Sequence, residues 1–266
     1  MATARRTVRG IVAKSPSVTT AYRELQYRRG LIKPPLIFVL GSQRSGTNVL
    51  RQSLSLDPYV QGFNERKNSE LYVEWALRPE PEIRPVLTRF RNTVLLKPIQ
   101  SVIRRPVADF LAEFNEYPLK VAWIYRDPVA VFRSRGARWS YKAESGPFIE
   151  EWNRINASVM DADDPRVAVV CYDQLTGAPT VFHTLCNFLG IRGENLFHSG
   201  RPIKDVESSL SEEDVADIRK QTGEQLHRLD AAAAQFLATN SSANTEEEGD
   251  GPDPSAIRSA QPSATG

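Results

Sequence analysis

Cysteine is scarce in this chain: its 266 residues include only two, Cys171 and Cys186. That excludes a disulfide-built scaffold and a cysteine-rich zinc site. It fits a reducing compartment, so a cytoplasmic location is expected. Histidine is scarce too. His183, His198 and His227 have no ligand-like spacing, and no metal site is expected. No apolar run approaches the roughly 20 residues that span a bilayer. The longest, such as Leu36–Leu40, have strand length, so no transmembrane segment is expected. Charge of one sign is also lacking. The formal net charge is +2, which argues against a nucleic-acid coat, and no nucleic-acid partner is expected. What is present is 41% hydrophobic residues, enough for a real core, in a length that suits one large domain or two small ones.

Charge is unevenly spread. Residues 1–33 hold eight Lys/Arg against one acid, Glu24. This basic N-terminal extension reads either as a solvated arm or as a targeting peptide, without the apolar stretch of a secretory signal. Residues 239–266 are rich in Ser, Ala, Glu, Asp and Pro, and Ile257 is their only large apolar residue. Such a tail cannot bury enough surface to order itself. The expected domain is therefore 34–238.

Within it, strand-like and helical patterns alternate. Pro34-Pro35 lead into Leu36–Leu40, a wholly apolar run suited to a strand buried on both faces. Residues 93–97, 120–125 and 166–171 are three further strand candidates. Helical stripes follow from Gly46, over 107–115, after Pro128 (with Asp127 as cap), through 148–159 and over 180–189, where Gly190 suits the stop. Ser211-x-x-Asp214 reads as a variant capping box opening a last helix that runs to about Leu237. This alternation predicts an α/β fold with a mostly parallel sheet and helices on both faces, whose ligands bind at the carboxyl ends of the strands.

The sharpest segment is Gly41-Ser42-Gln43-Arg44-Ser45-Gly46-Thr47-Asn48, between a buried strand and a helix. A glycine-bounded turn there exposes backbone N–H groups, and the helix N-terminus adds a partial positive charge; together they form an anion cradle. The spacing of Gly41 and Gly46 matches a Walker A loop, but Thr47-Asn48 stands where Lys-Ser/Thr should be. The phosphate lysine and the magnesium hydroxyl are missing, which argues against an ATPase or ordinary kinase.

These residues resemble the 5′-phosphosulfate loop of sulfotransferases that use 3′-phosphoadenosine 5′-phosphosulfate (PAPS). The resemblance implies a P-loop-NTPase-like central parallel sheet flanked by helices. It also implies that Arg44, Ser45, Gly46, Thr47 and Asn48 grip the 5′-phosphate and sulfuryl group. A second segment agrees. Arg126 ends the candidate strand 120–125, and Ser134 follows eight residues later. That spacing is similar to the family's 3′-phosphate motif. Ser134 and Arg138 are four apart and share a helix face. An arginine fork, a hydroxyl and a second arginine suit a phosphate dianion.

Weaker resemblances extend the match to roughly residues 34–192. Leu96-Lys97-Pro98 resembles the family's lysine-bearing strand end, so Lys97 is a candidate to hold the leaving group or acceptor. The helix around Trp152 resembles one that carries a Trp toward the nucleotide, and Tyr172 is a candidate adenine contact. Arg201 and Lys204 are candidates for a late basic loop over the 3′-phosphate.

The cytosolic branch of this family takes its base from a histidine two residues after the lysine, but Ile99 stands there. The tyrosylprotein and heparan branches use a glutamate after the phosphate-loop helix. Glu65, 21 residues past Arg44, has the tyrosylprotein spacing and is the expected base, with Glu70 and Glu74 as fallbacks. The implied reaction moves a sulfuryl group in line from PAPS to a hydroxyl or amine and leaves adenosine 3′,5′-bisphosphate, with no metal. The expected acceptor is a small-molecule, glycan or lipid hydroxyl. Residues 59–92 mix Arg66, Lys67, Arg78, Arg84, Arg89 and Arg91 with Tyr72 and Trp75. They form either a cleft for an acidic or sugar-like acceptor or an ordinary solvated face. Two other readings stand beside this one: a nucleotide-binding or phosphoryl-transfer protein with a degenerate P-loop, and a binding module that has lost turnover.

Overall fold

The computed structural model describes residues 33–139, 144–198 and 210–241. Five parallel strands form one sheet: β1 (Leu36–Leu40), β2 (Val60–Gly62), β5 (Thr93–Leu96), β6 (Leu119–Tyr125) and β7 (Val167–Cys171). Their spatial order is β2-β5-β1-β6-β7. A two-stranded antiparallel hairpin, β3 (Tyr72–Val73) and β4 (Ala76–Leu77), stands apart from the sheet.

β1 lies at the centre, which is why its sequence is apolar throughout. Leu36, Phe38 and Leu40 face one core layer, while Ile37 and Val39 face the other. β6 alternates in the same way, with Val121, Trp123 and Tyr125 on the first face and Ala122 and Ile124 on the second. The edge strand β2 escaped the sequence reading because it is three residues long and includes Gln61 and Gly62.

Helices α1 (Thr47–Leu54), α7 (Tyr172–Gly177) and α8 (Pro179–Leu189) cover the second face. The first face is covered by α2 (Glu80–Leu87), α3 (Ile99–Arg104), α4 (Val107–Glu113), α5 (Pro128–Trp139) and α6 (Ser145–Ala162), and by most of the apolar face of α9 (Glu212–Ser241). The expected caps are in place. Asp127 accepts from the Ala130 N–H at 2.8 Å, and Ser211 Oγ accepts from the Asp214 N–H at 3.0 Å. The helices α2, α3 and α7 were not read from sequence. They have six to eight residues, and α2 contains Pro81 and Pro85, which obscure a helical period.

The chain builds β1, β2 and β5 on one side before crossing to β6 and β7 on the other. α1 leaves β1 over one face, and the helices after β6 leave over the opposite face. These departures open a crevice beyond the carboxyl ends of β1 and β6, where such sheets bind ligands.

Candidate active site

Each of the five parallel strands delivers an expected site residue at its carboxyl edge. β1 runs into the loop at residues 41–48, and β2 leads to Glu65. β5 is followed by Lys97, β6 by Arg126 and β7 by Tyr172. The tertiary fold gathers groups that are more than a hundred residues apart in sequence.

The loop's shape depends on its two glycines. Gly41 has φ 148°, and a Cβ there would lie 2.1 Å from the Ile124 carbonyl oxygen. Gly46 caps α1 at φ 97°, and a Cβ there would lie 2.3 Å from the Tyr172 ring. Arg44 also has a left-handed backbone, φ 72°, a conformation that costs energy for a side-chain-bearing residue and that collects at functional loops. Ser42 and Ser45, both buried, share a hydroxyl–hydroxyl hydrogen bond that braces the turn. Among the described residues no side chain caps the N-terminus of α1, and no acid occupies its first turn. Its N–H groups therefore face the crevice with their partial positive charge uncompensated. Gly46→Ala is expected to lower stability by about 1–3 kcal/mol, through strain and the clash with Tyr172. The urea denaturation midpoint measures it.

The two segments expected to bind phosphate meet. Arg44 Nε donates to Ser134 Oγ at 3.0 Å across 90 residues of sequence. Arg126 places its guanidinium 4.5 Å from the centre of the Tyr172 ring, a cation–π contact that fixes the fork. Its Nε is buried with no hydrogen-bond partner among the described residues. A buried charged donor left in that state is costly unless an anion completes it. Arg138 lies on α5 one turn beyond Ser134. Tyr172 also meets Phe197 edge-on at 5.4 Å, so its ring packs against the loop, Arg126 and the core together.

Glu65 and Lys97 form a pair at the ends of neighbouring strands. Lys97 Nζ lies 2.9 Å from Glu65 Oε2, and the two side chains are only 7% and 12% exposed. Glu65 Oε1 accepts from the Gln100 N–H at 3.0 Å, in the first turn of α3. The fallback acids lie elsewhere: Glu70 sits 3.5 Å from Arg89, and Glu74 occupies the exposed tip of the β3–β4 hairpin. Glu65 alone of the three acids pairs with Lys97.

Trp152 differs from expectation. It is fully buried in the core on the first face, among residues such as Phe148, Ile149 and Ile155. Helical periodicity already puts Trp152 on the apolar face of α6 with Phe148, Ile149, Ile155 and Val159, and the structure buries that face. Arg201 and Lys204 lie outside the described residues, as do 1–32 and 242–266.

Sequence reasoning missed Arg51 and the environment of Tyr72. Tyr72 is buried, and its hydroxyl has no hydrogen-bond partner among the described residues. Burial, and then the nearby charge of Glu65, push its ionisation well above the ordinary tyrosine range. Arg51 lies within electrostatic reach of Tyr72, and burial lowers its pKa. Its Nε is also buried without a described partner. One signal was available: Arg51 is four residues after Thr47, so both belong to one helix face.

No group of three or more His, Cys, Asp or Glu among the described residues could hold a metal ion, and none of the described helices is long and apolar enough to cross a membrane. Cys171 and Cys186 are free thiols.

No family model matches the chain, and neither does any curated protein. Solved structures do. The sulfotransferase domain of the olefin synthase from Synechococcus PCC 7002 is 18% identical, with a TM-score of 0.49 over 75% of this chain and 95% of that one. The sulfotransferase STF1 from Mycobacterium tuberculosis H37Rv is 14% identical, with a TM-score of 0.45 over 76% of this chain and 80% of that one.

Proposed function

We propose that this chain is a PAPS-dependent sulfotransferase with a carboxylate base. The observation that carries this reading is the meeting of two anion motifs at the carboxyl edge of the sheet, joined by the Arg44–Ser134 bond, beside the Lys97–Glu65 pair. A P-loop phosphoryl-transfer enzyme needs a lysine and a magnesium-binding hydroxyl after its second glycine; here Thr47 and Asn48 follow Gly46.

The residues present suit the co-substrate. Ser45, Gly46, Thr47 and Asn48 at the start of α1 would hold the 5′-phosphosulfate by backbone N–H and hydroxyl groups. Arg126, Ser134 and Arg138 would hold the 3′-phosphate, with the orphaned Arg126 Nε as one donor. Tyr172, half-buried beside the loop, would flank the adenine. PAPS supplies an activated sulfuryl group and leaves as adenosine 3′,5′-bisphosphate.

The chain's own residues do the rest. Arg44 neutralises charge that develops on the moving group. Glu65 accepts the acceptor's proton. Its two oxygens are oriented by the Lys97 ammonium and the Gln100 N–H, which leaves lone pairs for the incoming hydroxyl. Lys97, held beside the carboxylate, stabilises negative charge on the departing oxygen. The acceptor is a small-molecule, glycan or lipid hydroxyl.

Calorimetry without magnesium tests the reading. Adenosine 3′,5′-bisphosphate is expected to bind about 10- to 100-fold more tightly than ADP, the worth of one or two charge-assisted contacts to the 3′-phosphate. Preference for ADP, or binding only with magnesium, would move the chain to the degenerate P-loop reading.

A further inference from the structure

Glu65 leads directly into a strained element. In the β3–β4 hairpin, Glu74 and Trp75 form the two-residue connection, with φ 46° and 66°. Two consecutive left-handed residues make the turn that Asn-Gly ordinarily supplies. Here a glutamate and a tryptophan occupy it, held by three tethers. The Trp75 N–H donates to the Lys67 carbonyl at 3.2 Å, the Glu74 N–H to Asn68 Oδ1 at 3.4 Å, and Arg104 Nη2 to the Glu74 carbonyl at 3.0 Å. Strain kept in place by surrounding bonds is a mark of a position with a task.

The hairpin is also tied to the catalytic pair. The Leu77 N–H donates to Ser101 Oγ at 2.9 Å. Ser101 and Arg104 belong to α3, the same short helix whose Gln100 N–H holds Glu65. One helix thus clasps the proposed base near its start and the hairpin tip at its end.

Four large apolar side chains are exposed among the described residues. Leu56 and Tyr59 lie before β2, at the sheet's far edge. Val73 and Trp75 lie on the hairpin, and Trp75 is 47% exposed. Lys67 bonds to Trp75 through its backbone carbonyl, and Arg66 precedes Lys67 in the chain. Arg78, Arg84 and Arg89 are each paired with a glutamate. Arg66 and Lys67 are exposed, and no acid among the described residues pairs with either. Lys67 is two residues from Glu65, a span of at most about 7 Å.

We propose that this hairpin is the acceptor platform: Trp75 stacks on a ring of the acceptor, and Arg66 and Lys67 pair with an anionic group that the ring carries. The acceptor is therefore a ring-bearing carboxylate. A uronic-acid saccharide and a phenolic acid share that chemistry. This rests on the sulfotransferase reading for its reaction, but not for the binding it predicts.

The test uses the full chain, with and without saturating adenosine 3′,5′-bisphosphate. The probes are methyl β-glucuronide and 4-hydroxybenzoate, each against its neutral counterpart, methyl β-glucoside and 4-hydroxybenzamide. Saturation-transfer NMR and calorimetry are expected to show one acid binding about tenfold more tightly than its neutral counterpart; which acid it is separates saccharide from phenol. Trp75→Ala is expected to weaken that acid about tenfold, and Trp75→Tyr to restore most of it. Arg66→Gln with Lys67→Gln should erase the preference for the acid, and none of these changes should move bisphosphate affinity. The proposal fails if neither acid binds in either state, or if Trp75→Ala binds the acids as the parent does. If the bisphosphate itself does not bind, the sulfotransferase reading fails separately, and the titrations without it still decide the platform.

Discussion

Glu65→Gln is expected to lower sulfuryl transfer by about 10²–10⁴-fold, the usual worth of a positioned general base. Affinity for adenosine 3′,5′-bisphosphate should stay within about twofold, because none of the proposed nucleotide contacts is lost. Stability will also change, since Lys97 is almost buried against this carboxylate. The glutamine keeps an oxygen that can accept from Lys97 Nζ but loses the charge, at a cost of about 1–3 kcal/mol. A double-mutant cycle separates the two effects. Lys97→Met removes the stranded ammonium, so Glu65→Gln/Lys97→Met should recover much of the lost stability without recovering turnover. If turnover returned with stability, Glu65 and Lys97 would be structural partners, and neither the base role nor the leaving-group role would stand. Single-turnover kinetics and thermal denaturation on the four proteins give both readings.

Arg126→Ala is expected to weaken adenosine 3′,5′-bisphosphate by about 100-fold, from loss of a charge-assisted fork. ADP, which lacks the 3′-phosphate, should weaken by less than about threefold. The comparison matters because Arg126 also lies over Tyr172, whose ring packs against Gly46. Removing the guanidinium could loosen the 5′ loop indirectly. In that case both nucleotides would lose affinity equally, and the role in reading the 3′-phosphate would be wrong. Arg126→Lys should restore little, because an ammonium keeps the charge but neither the planar fork nor the stacking. Calorimetry of both nucleotides on the three proteins decides the matter.

The parts of this site that were legible in the sequence are those in which local chemistry dictates local form. β1, β5, β6 and β7 could be read because strands of a parallel sheet covered on both faces carry continuous apolar runs. The loop could be read because its turn needs Gly41 and Gly46 at fixed spacing. Arg126 and Ser134 stood out as candidates because their spacing across a strand end and the next helix resembles a known phosphate motif. The short edge strand β2 and the hairpin were not legible: two or three residues show no period, and a turn made by Glu74-Trp75 lacks the usual glycine or asparagine.

The amino-acid sequence by itself determined the layered α/β fold and the glycine-bounded turn between β1 and α1, and it supplied the arginines proposed for phosphate. Tertiary structure alone decided which of these groups meet. Lys97 reaches Glu65 across 32 residues because β2 and β5 are neighbours, and Arg44 reaches Ser134 across 90 because β1 and β6 are. It also put Tyr172 behind the loop and left the Tyr72 hydroxyl, among the described residues, without a partner beside the Glu65 charge. The physical reason is the order in which the strands pair. Burial of apolar faces sets that order over the whole chain at once, and no local stretch of sequence contains it.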